Sequence, residues 1–142
     1  MNSNKKTTGI DMKALLSTSW IFVLLNVIFR DIHELFRPEL LKEMMAGTVN
    51  GVHITEELLL LGGIGMEILI AMVILSRILP YRVNRWANII VGPISIPLLL
   101  SSGIHDLDDM FFFAIEIVAL LLITWLAWKW PKQEHESIPS VI

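Results

Sequence analysis

The chain has 142 residues, of which 54% are hydrophobic and 18% charged, with a net charge of −3 and no cysteine. So few polar side chains cannot clothe a water-soluble domain of this length, and a membrane is the expected solvent. The acidic balance excludes a basic nucleic-acid-binding face, and the missing thiols exclude disulfides, thiolate metal sites and cysteine catalysis.

The first apolar run, predicted to span residues 14–32, follows Lys5, Lys6 and Lys13 in the manner of a secretory signal. It has no A-x-A-like cleavage site and continues into "RDIHELFRPELL", so a retained signal-anchor helix is expected. Asn26, Arg30, His33, Glu34 and Arg37 recur there at helical spacing, opposite Phe29, Ile32, Leu35 and Phe36. Pro38 suits the first turn of a short amphipathic helix, "PELLKEMM", which Gly47 ends and which is expected to lie on the membrane surface. In "TVNGVHIT", Asn50-Gly51 between β-branched residues predicts a small hairpin in this first outer loop.

Thr55 is placed to cap the second span, residues 58–79, with Glu56 and Glu57 in its first turn favoured by the helix dipole. Glu67 falls ten residues into that span, on a face shared with Gly63 and Ala71 that is small enough to meet another helix. The third span, residues 86–104, carries Pro93 and Pro97, which remove backbone donors and predict a bend. Asn88, Gly92 and Ser95 give it one polar face.

Asp106 or Asp108 can cap the fourth span, residues 109–130, which contains "MFFFAIEIVALLLITWLAW". Eleven Leu, Ile, Phe and Val side chains at about −0.3 to −0.6 kcal/mol each offset about +2.5 to +3.5 for a charge at Glu116. Insertion is therefore expected with the acid in place. Trp125, Trp128 and Trp130 mark an interface, and residues 131–142 are predicted to form a disordered cytoplasmic tail.

Four spans with short connections make residues 1–130 a single all-α domain, an integral membrane four-helix bundle with the short helix and hairpin outside. Lys5, Lys6, Lys13, Arg77, Arg82, Arg85, Lys129 and Lys132 fall on one side, against Arg30, Arg37 and Lys42 on the other. By the positive-inside rule both termini are expected in the cytoplasm, with the bundle in the plasma (inner) membrane.

Each span has one polar stripe, so turning all four inward predicts a cavity lined by Asn26, Arg30, His33, Glu67, Asn88, Ser95 and Glu116, in which Arg30 faces Glu116. The plain alternative is a structural ion pair that fixes helix register. Glu67 has no dedicated cation and is the stronger functional candidate, able to hold a proton instead of a charge. His33 reads as an interfacial residue. His53, His105 and Asp106 lack metal-ligand spacing, so no metal is expected, and no motif names a cofactor.

The stretches "WIFVLLNVIFRDIHELF", "GTVNGV", "RILPYRVNRWANII" and "DLDDMFFFAIEIVALLLI" resemble an uncharacterised family of small bacterial four-span membrane proteins. Size and span pattern are also loosely similar to DoxX-like proteins. The resemblance implies a recurring architecture and transfers no catalytic role.

Three functions fit. First is a binding or accessory subunit, with a small polar or amphiphilic ligand in the cavity or a partner helix or second copy on the Gly63 face. Second is a proton-coupled transporter using Glu67 or Glu116. Third is a membrane enzyme acting on a lipid or quinone-like substrate, with Glu67 and Glu116 as acid and base. No nucleophile motif or phosphate loop supports the enzyme, which ranks last.

Overall fold

A computed structural model describes residues 11–131. It is all-α with one two-stranded sheet: α1 (Met12–Glu34), α2 (Pro38–Met45), β1 (Thr48–Val49), β2 (Val52–His53), α3 (Glu56–Ile78), α4 (Tyr81–Leu100) and α5 (Leu107–Lys129). Four of the five helices, α1, α3, α4 and α5, are long and apolar enough to cross a membrane. At 23 residues, α1, α3 and α5 each run for about 34 Å, against roughly 30 Å of hydrocarbon.

Side-chain caps start three of these helices. The Asp11 carboxylate accepts from Lys13 N at 3.0 Å, Thr55 Oγ1 from Leu58 N at 3.2 Å, and Asp106 Oδ1 from Asp109 N at 3.1 Å. Each satisfies one of the amides that a first turn leaves without a helical acceptor. Pro38 opens α2 as its first residue, and Gly47, at φ +78°, closes it. Asn50 at φ +52° and Gly51 at φ +75° form the two-residue turn that pairs Thr48 with His53 and Val49 with Val52.

The third span differs from its expected bounds at both ends. It begins at Tyr81 because Pro80 supplies a fixed φ and a carbonyl that accepts from Asn84 N at 2.9 Å. Arg82, Asn84 and Arg85 lower the hydropathy of this turn without weakening its backbone bonds. It stops at Leu100 because Ser101 caps it and Gly103 turns the chain at φ +87°. Pro93 and Pro97 lie inside an unbroken helix with exposed rings, so both rings face away from the bundle.

The helices pack in the order α3–α1–α5–α4, and α3 and α4 touch sparsely although only Leu79 and Pro80 join them. Leu16, Trp20, Val23 and Val27 of α1 form a buried stripe against Leu69 and Met72 of α3 and Leu120 and Ile123 of α5. Gly92 brings α4 close to α5. A Cβ there would collide with Thr124 Oγ1 and sit 3.4 Å from the Leu120 carbonyl oxygen.

One end of the bundle carries α2 and the hairpin, and the other carries the α3–α4 turn. At the turn end Tyr81 OH donates to the Trp130 carbonyl at 3.0 Å, and Arg85 donates to the Ala127 and Trp128 carbonyls at 3.1 and 3.0 Å. These bonds satisfy carbonyls at the end of α5. Trp130 is therefore buried, while Trp125 and Trp128 remain exposed. The expected tail lies outside the described residues apart from Pro131.

Candidate functional site

Arg30 continues the buried stripe of α1, three residues beyond Val27, and Glu116 lies between Phe113 and Leu120 on the buried stripe of α5. Helical periodicity therefore aims both charges inward. Arg30 Nη1 donates to Glu116 Oε2 at 2.9 Å, with 4% of the arginine side chain and none of the glutamate accessible. Glu116 Oε1 has no hydrogen-bond partner among the described residues. The pair is thus monodentate, and the guanidinium keeps N–H groups that Glu116 does not engage.

Beside Arg30 lies a cavity of about 250 Å³ between α1, α3 and α4 at the hairpin end. Val27, Met66, Leu98 and Leu99 form its apolar wall, and Arg30, Asp31, Ser101 and Ser102 its polar one. Gly62, Asp31, Ser101 and Ser102 are themselves exposed, so the cavity opens to the surface along the loose α3–α4 seam. An opening there faces the side of the bundle.

A second polar cluster sits toward the turn end. Asn88 Oδ1 accepts from Trp20 Nε1 at 2.7 Å and from Ser76 Oγ at 3.4 Å, and its Nδ2 donates to Asn84 Oδ1 and the Asn84 carbonyl at 2.8 and 2.9 Å. Asn84 Nδ2 donates to the Ser76 carbonyl at 2.6 Å. Trp20, Ser76, Asn84 and Asn88 are all fully buried. Both the donor and acceptor groups of Asn88 are engaged, so the cluster ties α1, α3 and α4 together and offers a ligand little. Asn88, expected on a ligand-binding face, is instead held by Trp20, Ser76 and Asn84, which its polar stripe does not include. The available signal was the Asn84–Asn88 pair, one helical turn apart.

At the hairpin end, Glu34, Asp106 and Asp109 bring one carboxylate oxygen each within 4.8 Å of one another. Arg37 balances them at 3.0 Å from Glu34 and 3.5 Å from Asp106. Asp109, in the first turn of α5, is buried and accepts from His105 N at 2.9 Å. The Asp109 amide, donating to the Asp106 cap, holds the Asp106 carboxyl below its usual 3.8. His33 is an exposed rim residue, 3.5 Å from Asp108 and edge-on to Phe112.

The other expected site residues do not converge on Arg30. Asn26 donates to the Phe22 carbonyl at 2.9 Å and Ser95 to the Val91 carbonyl at 2.7 Å, each on its own helix. Glu67 requires the largest correction. The buried positions of α3 are Gly65, Leu69, Met72 and Ser76, and Glu67 lies on the opposite side, exposed. It therefore cannot share an enclosed pocket with Glu116, and the expected two-glutamate site is not formed. Leu69 and Met72 pack in the core with α1, and Gly65 lies close to Leu98, whose Cδ2 would be 3.0 Å from an added Cβ, so this side of α3 faces inward and Glu67 does not.

Four apolar crossings around a buried ion pair define a multi-pass α-helical membrane protein. Residues 8–137 match the model of a family of unknown function, DUF6326, and the chain belongs to that family. No curated protein and no solved structure matches it.

Proposed function

We propose that this protein binds a small polar-headed amphiphile in the cavity beside Arg30. The observation that carries this reading is Arg30 itself: an arginine only 3% exposed that lines the cavity while giving Glu116 a single hydrogen bond. Its remaining donors suit an acceptor head such as a hydroxyl, carbonyl or amide, and Asp31 and the two serines add acceptors and donors beside it. The apolar wall takes the adjoining chain or ring, which enters sideways from the bilayer between α3 and α4. At about 250 Å³, the space is smaller than pockets of roughly 300–1,000 Å³ that hold drug-sized ligands.

Proton-coupled transport is the second reading, favoured by the partnerless Oε1 of Glu116. On that reading Glu116 alone is the proton site, and ligand addition releases protons from reconstituted protein. We also propose a bacterial inner-membrane setting with both termini cytoplasmic, which the excess of lysine and arginine on one side of the spans supports.

The binding test uses dodecanol, dodecanoate and dodecyl-N-methylamide on protein in nanodiscs, with thermal unfolding as the readout. A ligand at about 100 times its Kd stabilises by about 2.7 kcal/mol, an upward shift of several degrees. At Gly62 an added Cβ meets nothing within 4 Å, so Gly62→Phe is expected to fill the cavity without moving the backbone and to abolish the shift. No shift with any of the three compounds, or an equal shift in Gly62→Phe, overturns the reading.

A further inference from the structure

The feature that the cavity leaves unexplained is Glu67. The helix α3 has 23 residues from Glu56, so Glu67 lies about 16 Å along an axis of about 34 Å, close to mid-membrane. Its stripe is the one turned away from the bundle: Leu60 is 64% exposed, Ile74 60% and Ile78 66%. Among the described residues Glu67 has no salt bridge and no side-chain hydrogen bond to another group. Hydrocarbon offers nothing to a carboxyl, which there must lose its charge or find a polar partner.

From these observations we infer that two copies of this chain pair through the outward face of α3, with the two Glu67 carboxyls hydrogen-bonded across a two-fold axis. Three features select a second copy as the occupant. A carboxylic acid is both donor and acceptor, so one Glu67 complements another, and a two-fold axis brings identical positions together. No exposed cation lies at this depth on the described spans to take its place, because Arg30 is buried against Glu116 while Arg82 and Lys129 sit at helix ends. Gly63, one turn away on the same stripe, has nothing within 4 Å of an added Cβ, and Ala71 is one turn away on the other side. Small residues on both sides of the acid let two backbones approach closely enough for the carboxyls to meet.

The pairing is independent of the cavity, since Gly62 and Met66 reach the cavity from a different side of α3. Because Glu67 is exposed in the single bundle, replacing it leaves the core intact. The test measures dimerisation of the full chain in lipid vesicles by single-molecule photobleaching across a range of protein-to-lipid ratios. Wild type is expected to dimerise, Glu67→Gln to keep the dimer because an amide also donates and accepts, and Glu67→Leu and Gly63→Ile to weaken it about tenfold or more. The chain lacks cysteine, so single cysteines report the face: Ile74→Cys is expected to cross-link between copies, and Val118→Cys on the outer side of α5 is not. A monomer at every ratio, association of Glu67→Leu as tight as wild type, loss of the dimer in Glu67→Gln, or cross-linking at Val118 in place of Ile74 overturns the inference.

Discussion

At the scale of single residues, the decisive fact is that a buried arginine depends on a buried glutamate. Removing one partner strands the other charge in a low-dielectric core, at a cost of about 3–5 kcal/mol, whereas replacing both by apolar groups of similar volume is often neutral. Arg30→Ala is therefore expected to lower stability by about that amount, and the double substitution Arg30→Met with Glu116→Leu to recover most of it; unfolding in a denaturing detergent series measures both. Recovery of folding without recovery of ligand stabilisation would separate the binding role of Arg30 from its structural one. The ion pair was legible in the sequence because Arg30 and Glu116 each continue a helical stripe of core residues. Glu67 was not, because Gly62, Gly63 and Gly65 make several sides of α3 small, and which one is inside depends on the long-range packing of Gly65, Leu69 and Met72.

At the scale of elements, local chemistry was the readable part. Thr55, Asp106, Pro38, Gly47 and Asn50-Gly51 act where their side chains and permitted φ angles place them, since caps and tight turns involve only neighbours in sequence. The start of α4 was less readable: hydropathy counts Arg82 and Arg85 against a span, while the chain uses Arg85 to bind carbonyls at the end of α5. The Asp106 cap carries a pH prediction. Its carboxyl titrates below its ordinary 3.8 in the folded chain, so the cap contributes fully above that pH and is lost as pH falls through the lower folded value. Amide exchange at Asp109 and Met110 is expected to speed up in acid relative to the middle of α5. Asp106→Ala should show faster exchange at every pH and no such acid dependence.

At the scale of the whole molecule, four crossings were legible from apolar length alone, and the order of the helices around the bundle was not, because packing order depends on contacts such as Gly92 with Thr124 that leave no periodic trace. Lys5, Lys6 and Lys132 of that count lie outside the described residues, and the rest fall into two groups. Lys13, Arg77, Arg82, Arg85 and Lys129 gather at the turn end, while Arg30, Arg37 and Lys42 belong to the hairpin end. Positive charge near span ends is retained on the cytoplasmic side during insertion. The hairpin end, with α2 and the mouth of the cavity, is then expected to face outward. Single cysteines in this cysteine-free chain measure the orientation directly. Exposed Glu39 on α2 and exposed Pro131 beyond α5 lie at opposite ends, and replacing either leaves every lysine and arginine in place. A membrane-impermeant maleimide added to intact spheroplasts is expected to label Glu39→Cys at once and Pro131→Cys only after permeabilisation. The reverse pattern would turn the cavity mouth toward the cytoplasm, and with it the leaflet from which the amphiphile enters.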